Sequence, residues 1–282
     1  MKALIISLIA APAIFTLATI AGGPAEGDRV TLALFGATVL VELIALSRVF
    51  SARKLFSPAD PGYLTWTLVA AFLLARLLGE LRLATINFQL VPRYSEGGPT
   101  WLFVYVIVFR YLYTLSDVFF IVALTSTIRA YKSTGLKFEL LRRDYLYMSL
   151  VWIMPVVAFV FRSNLISSNA TVRDGYIASF RLITITVGAF IVSLCLMVRR
   201  YMSQMGGGAV ARVWNMAVVA GVARVASFLA LAVMSSWWRS GAGFFEQYLL
   251  WIFAWCWLMA AAYQLKVLPH ASEARLVAAT AG

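Results

Sequence analysis

The sequence predicts an all-α fold: a polytopic transmembrane helical bundle of eight helices, or seven if the N-terminal segment is cleaved. Three observations carry that expectation. Hydrophobic residues make up 62% of the chain and charged residues only 13%, whereas soluble chains average about 45–50% and about 25%. The apolar residues gather into runs of about 17–25, the length a hydrocarbon core demands. None of these runs alternates apolar with polar residues as the strands of a transmembrane barrel do. The gaps between runs are too short for a soluble domain, so residues 1–282 read as a single integral membrane domain.

The first run, residues 4–20, follows Met1 and Lys2 and ends at Ala21-Gly22-Gly23. A short positive start and small residues afterwards also suit a secretory signal peptide, with Thr19 and Ala21 as a weak cleavage site. The run exceeds the ~7–15 residues usual for such a region. Residues 1–21 are therefore read as a retained first helix, with the signal peptide as the alternative. The second run, residues 30–46, contains Glu42 and leads into a basic loop with Arg48, Arg53 and Lys54. The third, residues 63–84, carries Arg76, Glu80 and Arg82 in its far half. Pro92, Gly97, Gly98 and Pro99 then mark a turn.

Residues 101–128 form the fourth run, and it holds both Arg110 and Asp117, nearly two helical turns apart on one face. Tyr113 and Thr114, at i+3 and i+4 from the arginine, complete a polar stripe. The connection that follows is the most basic in the chain, with Arg129, Lys132, Lys137, Arg142 and Arg143. The fifth run covers residues 145–161, with Pro155 expected to kink it. A polar loop containing Asn169 leads to the sixth, residues 182–198, and Gly206-Gly207-Gly208 supply a flexible link to the seventh. That run, residues 217–237, encloses Arg224. The eighth, residues 248–265, ends at Lys266 and Pro269, leaving residues 266–282 as a short polar cytoplasmic tail.

Orientation follows from the loops. The formal net charge is +12, from 24 Lys plus Arg against 12 Asp plus Glu. The surplus lies after the second, fourth and sixth runs (Arg48, Arg53, Lys54; Arg129, Lys132, Lys137, Arg142, Arg143; Arg199, Arg200, Arg212) and in the tail (Lys266, Arg275). The opposite loops are poorer, so the rich side is expected to be cytoplasmic, with the C-terminus inside and a bacterial inner membrane as the location. Nucleic-acid binding is set aside because no soluble basic region exists to carry it. The expected partners are the bilayer itself, anionic lipid headgroups at the basic face, and other membrane subunits or a cytoplasmic partner.

The intramembrane charges are the candidate site. A lone charge at the bilayer centre costs at least ~2.5–3.5 kcal/mol, so such groups face inward and pair. Counting depth along each helix predicts an outer layer of Arg76, Glu80 and Arg110 and an inner layer of Glu42, Asp117 and Arg224. Glu80 is expected to pair with Arg110, and Arg224 with Asp117 or Glu42.

The remaining signals are weaker. Trp251, Trp255 and Trp257 in the last run read as interfacial anchors that also pack between helices, and Tyr63, Trp66, Trp101, Trp237 and Trp238 as part of the same belt. Cys195 and Cys256 lie inside spans and read as buried free thiols. The one histidine, His270, lies beyond the last span, which leaves no bis-histidine haem or His-rich metal site. No HExxH, GxSxG or P-loop occurs. Retinal attachment needs a lysine midway along the last helix, where this chain has Trp, Cys, Leu, Met and Ala. The Asn169-Ala170-Thr171 sequon matters only in a eukaryotic secretory pathway. No cofactor, metal or enzymatic activity is expected. The first functional expectation is a non-catalytic membrane subunit or membrane-embedded sensory and interaction module. The alternative is a small secondary transporter or ion-coupled carrier using Glu42, Asp117 and Arg224.

Overall fold

The computed structural model describes residues 2–87, 100–133, 135, 139–161, 172–204, 208–234 and 238–280. Eight helices and no strands occur among them: α1 Lys2–Gly22, α2 Pro24–Arg53, α3 Pro61–Asn87, α4 Thr100–Lys132, α5 Arg142–Val160, α6 Val172–Gln204, α7 Gly208–Met234 and α8 Arg239–Thr280. Among the described residues seven of them, α2 to α8, are long and apolar enough to cross a membrane. The protein is an integral membrane protein built as a helical bundle.

Six helices close a ring. α2 packs on α3, α3 on α4, α4 on α6, α6 on α7, α7 on α8, and α8 returns to α2. α5 lies outside against α6 and α7, and α1 lies outside against α2 and α8. Alanines at the contacts (Ala45, Ala52, Ala123, Ala220, Ala260 and Ala261) are fully buried. Small side chains let helix backbones approach closely in lipid, where no hydrophobic force drives helices together. Large apolar residues cover the outer surface instead, most densely on α5 with Leu146, Leu150, Ile153, Val156 and Val160. Such a surface is tolerable only against acyl chains.

The helix ends extend beyond the apolar runs. α6 begins at Val172 rather than at residue 182 and continues to Gln204, and α2 runs on through Arg53. Hydropathy marks only the part of a helix that sits in hydrocarbon, and the hydrogen-bond ladder persists into the headgroup region. The end of the last helix likewise differs from the expected residue 265, because α8 continues past Pro269 to Thr280. Ala, Glu, Arg and Leu, all strong helix formers, dominate the stretch after the proline.

α1 turns into α2 at Gly23, whose φ of 75° suits a residue without Cβ. The hairpin brings Phe15 of α1 onto Phe244 of α8, stacked at 4.1 Å. Trp251 of α8 also donates to Ser7 of α1 at 2.9 Å. α5 starts at an Asp144 cap: its carboxylate accepts from the Leu141 N–H at 3.0 Å. The α6 end holds that cap, since Arg199 lies 3.7 Å from Asp144 and Arg200 donates to the Glu139 carbonyl at 2.9 Å.

Two glycines set the α6–α7 seam. A Cβ at Gly188 would lie 2.5 Å from Val225, and one at Gly221 would lie 2.7 Å from Val192. Gly188→Val and Gly221→Val should each cost about 1–3 kcal/mol by overpacking, read as a lower thermal midpoint of the purified protein. Gly36→Ala, inside α2 with nothing within 4 Å of the added Cβ, should hold or slightly raise that midpoint, because alanine is the better helix former.

Candidate functional site

The ring's centre is closed by side chains rather than by backbone contact. Phe72 of α3 stacks on Phe120 of α4 at 4.7 Å, and Trp257 of α8 meets both edge-on at 5.7 Å and 5.3 Å. Phe253, one turn before Trp257, joins the group at 6.1 Å from Phe72. Of the two roles expected of Trp257, its burial shows the packing one: it is 2% exposed and belongs to the core. Trp66, 5% exposed, moves inward in the same way. Trp251 and Trp255 pair edge-to-face at 5.7 Å and are half-buried. A belt tryptophan and a core tryptophan look alike in composition, and only the helix face separates them.

The charged side chains sit among these rings. Arg76 is 1% exposed and donates Nε to Glu42 at 3.2 Å and Nη2 to Glu80 at 2.7 Å. Glu42 and Glu80 are 0% and 2% exposed, so both ion pairs are fully desolvated. The Arg76 guanidinium also lies 3.9 Å over the Phe253 ring, a cation–π contact from across the ring of helices. Arg224 of α7 donates Nη1 to Asp117 of α4, the inner pairing expected from depth.

The two-layer arrangement is corrected. Glu80, assigned to Arg110 on the neighbouring helix, instead pairs with Arg76 one turn earlier on its own helix. Arg76 then joins Glu42 to Glu80, so the supposed outer and inner layers are one continuous group. The i,i+4 spacing of Arg76 and Glu80 was visible in the sequence and is the commonest way two charges on a helix meet. Arg110 is half-buried, its guanidinium 5.4 Å from the Phe180 ring of α6. Within the expected polar stripe of α4, Asp117 is buried and Tyr113 half-buried against α3, but Thr114 is exposed on the outer face. Arg110 already sits at the edge of the inward face, which is centred on Asp117, Phe120 and Leu124, and the further turn of about 40° that four residues add carries Thr114 off it.

Several polar valences remain open in this interior. Glu42 Oε2, Glu80 Oε2, Arg224 Nε and Nη2, and Trp257 Nε1 are buried without a hydrogen-bond partner. Arg224 and Trp257 also line a small cavity with Phe72, Phe120, Gly188, Ile191, Gly221 and Phe253. Its volume, about 10 Å³ to the centre of a water, admits about one water molecule.

At the basic-rich end, Arg129, Lys132, Arg142 and Arg143 are exposed, whereas Lys137, the Asn169 sequon and Trp237 lie outside the described residues. Sequence reading missed three further polar links. Thr65 of α3 and Thr127 of α4 share a buried hydrogen bond at 2.7 Å. Arg53 bonds Tyr63 across the α2–α3 turn, and Arg199 bonds Asn215 across the α6–α7 turn. Only the last two had a sequence signal, as polar residues flanking a short connection. Cys195 and Cys256 are buried free thiols. No group of three or more His, Cys, Asp or Glu suited to a metal occurs among the described residues. Comparison of the chain with protein-family models, with curated proteins and with solved structures finds no match.

Removing one member of a buried ion pair leaves the other charge uncompensated, at about 3–5 kcal/mol. Asp117→Asn and Arg224→Gln should therefore each lower the thermal midpoint sharply, while the double variant should be milder than the sum of the two. A double change that equals or exceeds that sum would show that the two groups do not stabilise each other.

Proposed function

We propose that this chain is a non-catalytic subunit or sensory and interaction module of a membrane assembly, resident in a bacterial inner membrane with its C-terminus in the cytoplasm. One observation carries the reading: the intramembrane charges are engaged with one another inside a closed, aromatic-packed ring. An arrangement of this kind fixes helix register and holds the bundle in one shape, which suits a module that transmits or receives contact from a neighbour. The exposed basic residues Arg129, Lys132, Arg142 and Arg143 form the surface for anionic headgroups or a cytoplasmic partner at the same end.

A second reading, a small secondary transporter or ion-coupled carrier, is favoured by a separate observation. Glu42 and Glu80 each keep a buried carboxylate oxygen without a partner, and the open nitrogens of Arg224 belong to a residue that lines a water-sized cavity, as a gated path in its closed state would leave them. Gentle solubilisation of native membrane, followed by affinity purification of the tagged chain, separates the two readings. The first expects other membrane subunits to copurify in fixed stoichiometry. The second expects the isolated chain to catalyse solute uptake in liposomes, with the uptake abolished by Asp117→Asn.

A further inference from the structure

Arg76 serves two carboxylates at once, and neither is fully satisfied. Glu42 and Glu80 each give one oxygen to the guanidinium, and the second oxygen of each is buried with no partner. Glu42 also lies within electrostatic reach of Arg224, which in turn holds Asp117. The ionised groups therefore form an alternating relay, Asp117, Arg224, Glu42, Arg76, Glu80, in which acids outnumber bases by one. Such a relay is short of one positive charge in a medium where an uncompensated ion is expensive.

We propose that Glu42 and Glu80 form a binding site for one exchangeable monovalent cation, a proton or Na⁺, taken up on their open Oε2 atoms. A cation there supplies the missing charge and the missing partner together. A divalent ion fits poorly, because it would reverse the imbalance and would want more oxygen ligands than two carboxylates provide. The groups around the pair are few. α3 contributes Arg76, and α4 contributes Tyr113, packed on Gly79, and Asp117 through Arg224 of α7. α8 contributes Cys256 on the turn that carries Phe253 and Trp257, and α1 has no titratable residue beyond Lys2. Arg110, the further cation on α4, is half-buried with its guanidinium beside the Phe180 ring of α6.

The test uses the intact purified chain in detergent. Thermal unfolding is followed in two series at constant ionic strength, one replacing N-methylglucamine by Na⁺ at fixed pH and one raising pH without Na⁺. An ion that binds only the folded state raises the midpoint with its concentration. For Na⁺ the wild-type midpoint climbs along the first series. For a proton it falls as pH rises along the second, because the folded state then loses the proton it holds in excess of the unfolded chain. Glu80→Gln keeps an oxygen for Arg76 but removes the surplus charge, so it should lose whichever response the wild type shows. Arg110→Gln should retain it. Infrared difference spectra of the wild type across each series provide a readout that needs no variant, since uptake alters a carboxyl stretching band. Identical responses of wild type and Glu80→Gln, a response that vanishes in Arg110→Gln, or no carboxyl band change in either series would overturn the proposal.

Discussion

An ionised side chain in hydrocarbon must find its countercharge within the protein, and the architecture of this bundle depends on that constraint. Desolvating a carboxylate or a guanidinium costs several kcal/mol, and only a close, well-hydrogen-bonded partner offsets it. Arg76 meets the requirement by lying between Glu42 and Glu80, with Phe253 beneath its plane. These contacts tie α2, α3 and α8 to one another at a single depth. Arg224 and Asp117 do the same for α7 and α4. A helix displaced by one residue along its axis would carry its charge about 1.5 Å out of register and round to another face. The pairs consequently select one relative placement of the helices, which apolar packing alone selects weakly in lipid.

The aromatic cluster and the charges depend on each other. Phe72, Phe120, Phe253 and Trp257 fill the centre and exclude solvent, which strengthens every ion pair beside them. The guanidiniums in turn give the ring faces a polar neighbour, as Arg76 does over Phe253. Small residues at the perimeter contacts allow the helices to close tightly enough for these large groups to meet. Gly188 and Gly221 are the clearest case, because valines of the facing helix occupy the space where their side chains would be.

Much of the fold was legible because the bilayer reads the same quantity as hydropathy. Every apolar run became a helix, and Glu42, Arg76, Glu80, Asp117 and Arg224 are buried as intramembrane charges must be. What the sequence hid was rotational. Thr114 and Trp257 were assigned from their residue type and neighbours, yet Thr114 points outward and Trp257 inward. Depth counting failed for Glu80 for a related reason. It ranks residues by height, and a long arginine side chain spans more than one layer, so Arg76 reached both acids. The ends of α6 and α8 were misjudged because helix propensity continues where hydropathy stops.

The ring's topology assigns unequal roles to its two sets of links. Neighbouring helices around the perimeter touch along their backbones, but α4 and α7, and likewise α3 and α8, do not approach at backbone level among the described residues. Across those spans the connections are side chains alone: Arg224 to Asp117 in one direction, and Arg76 and Phe72 to Phe253 and Trp257 in the other. Perimeter contacts resist separation through many small dispersion terms and would relax gradually. The central links are few, electrostatic and short-ranged once solvated, so their loss would be abrupt. A change of charge at the centre would therefore weaken the tie between facing helices while leaving the perimeter seams in place.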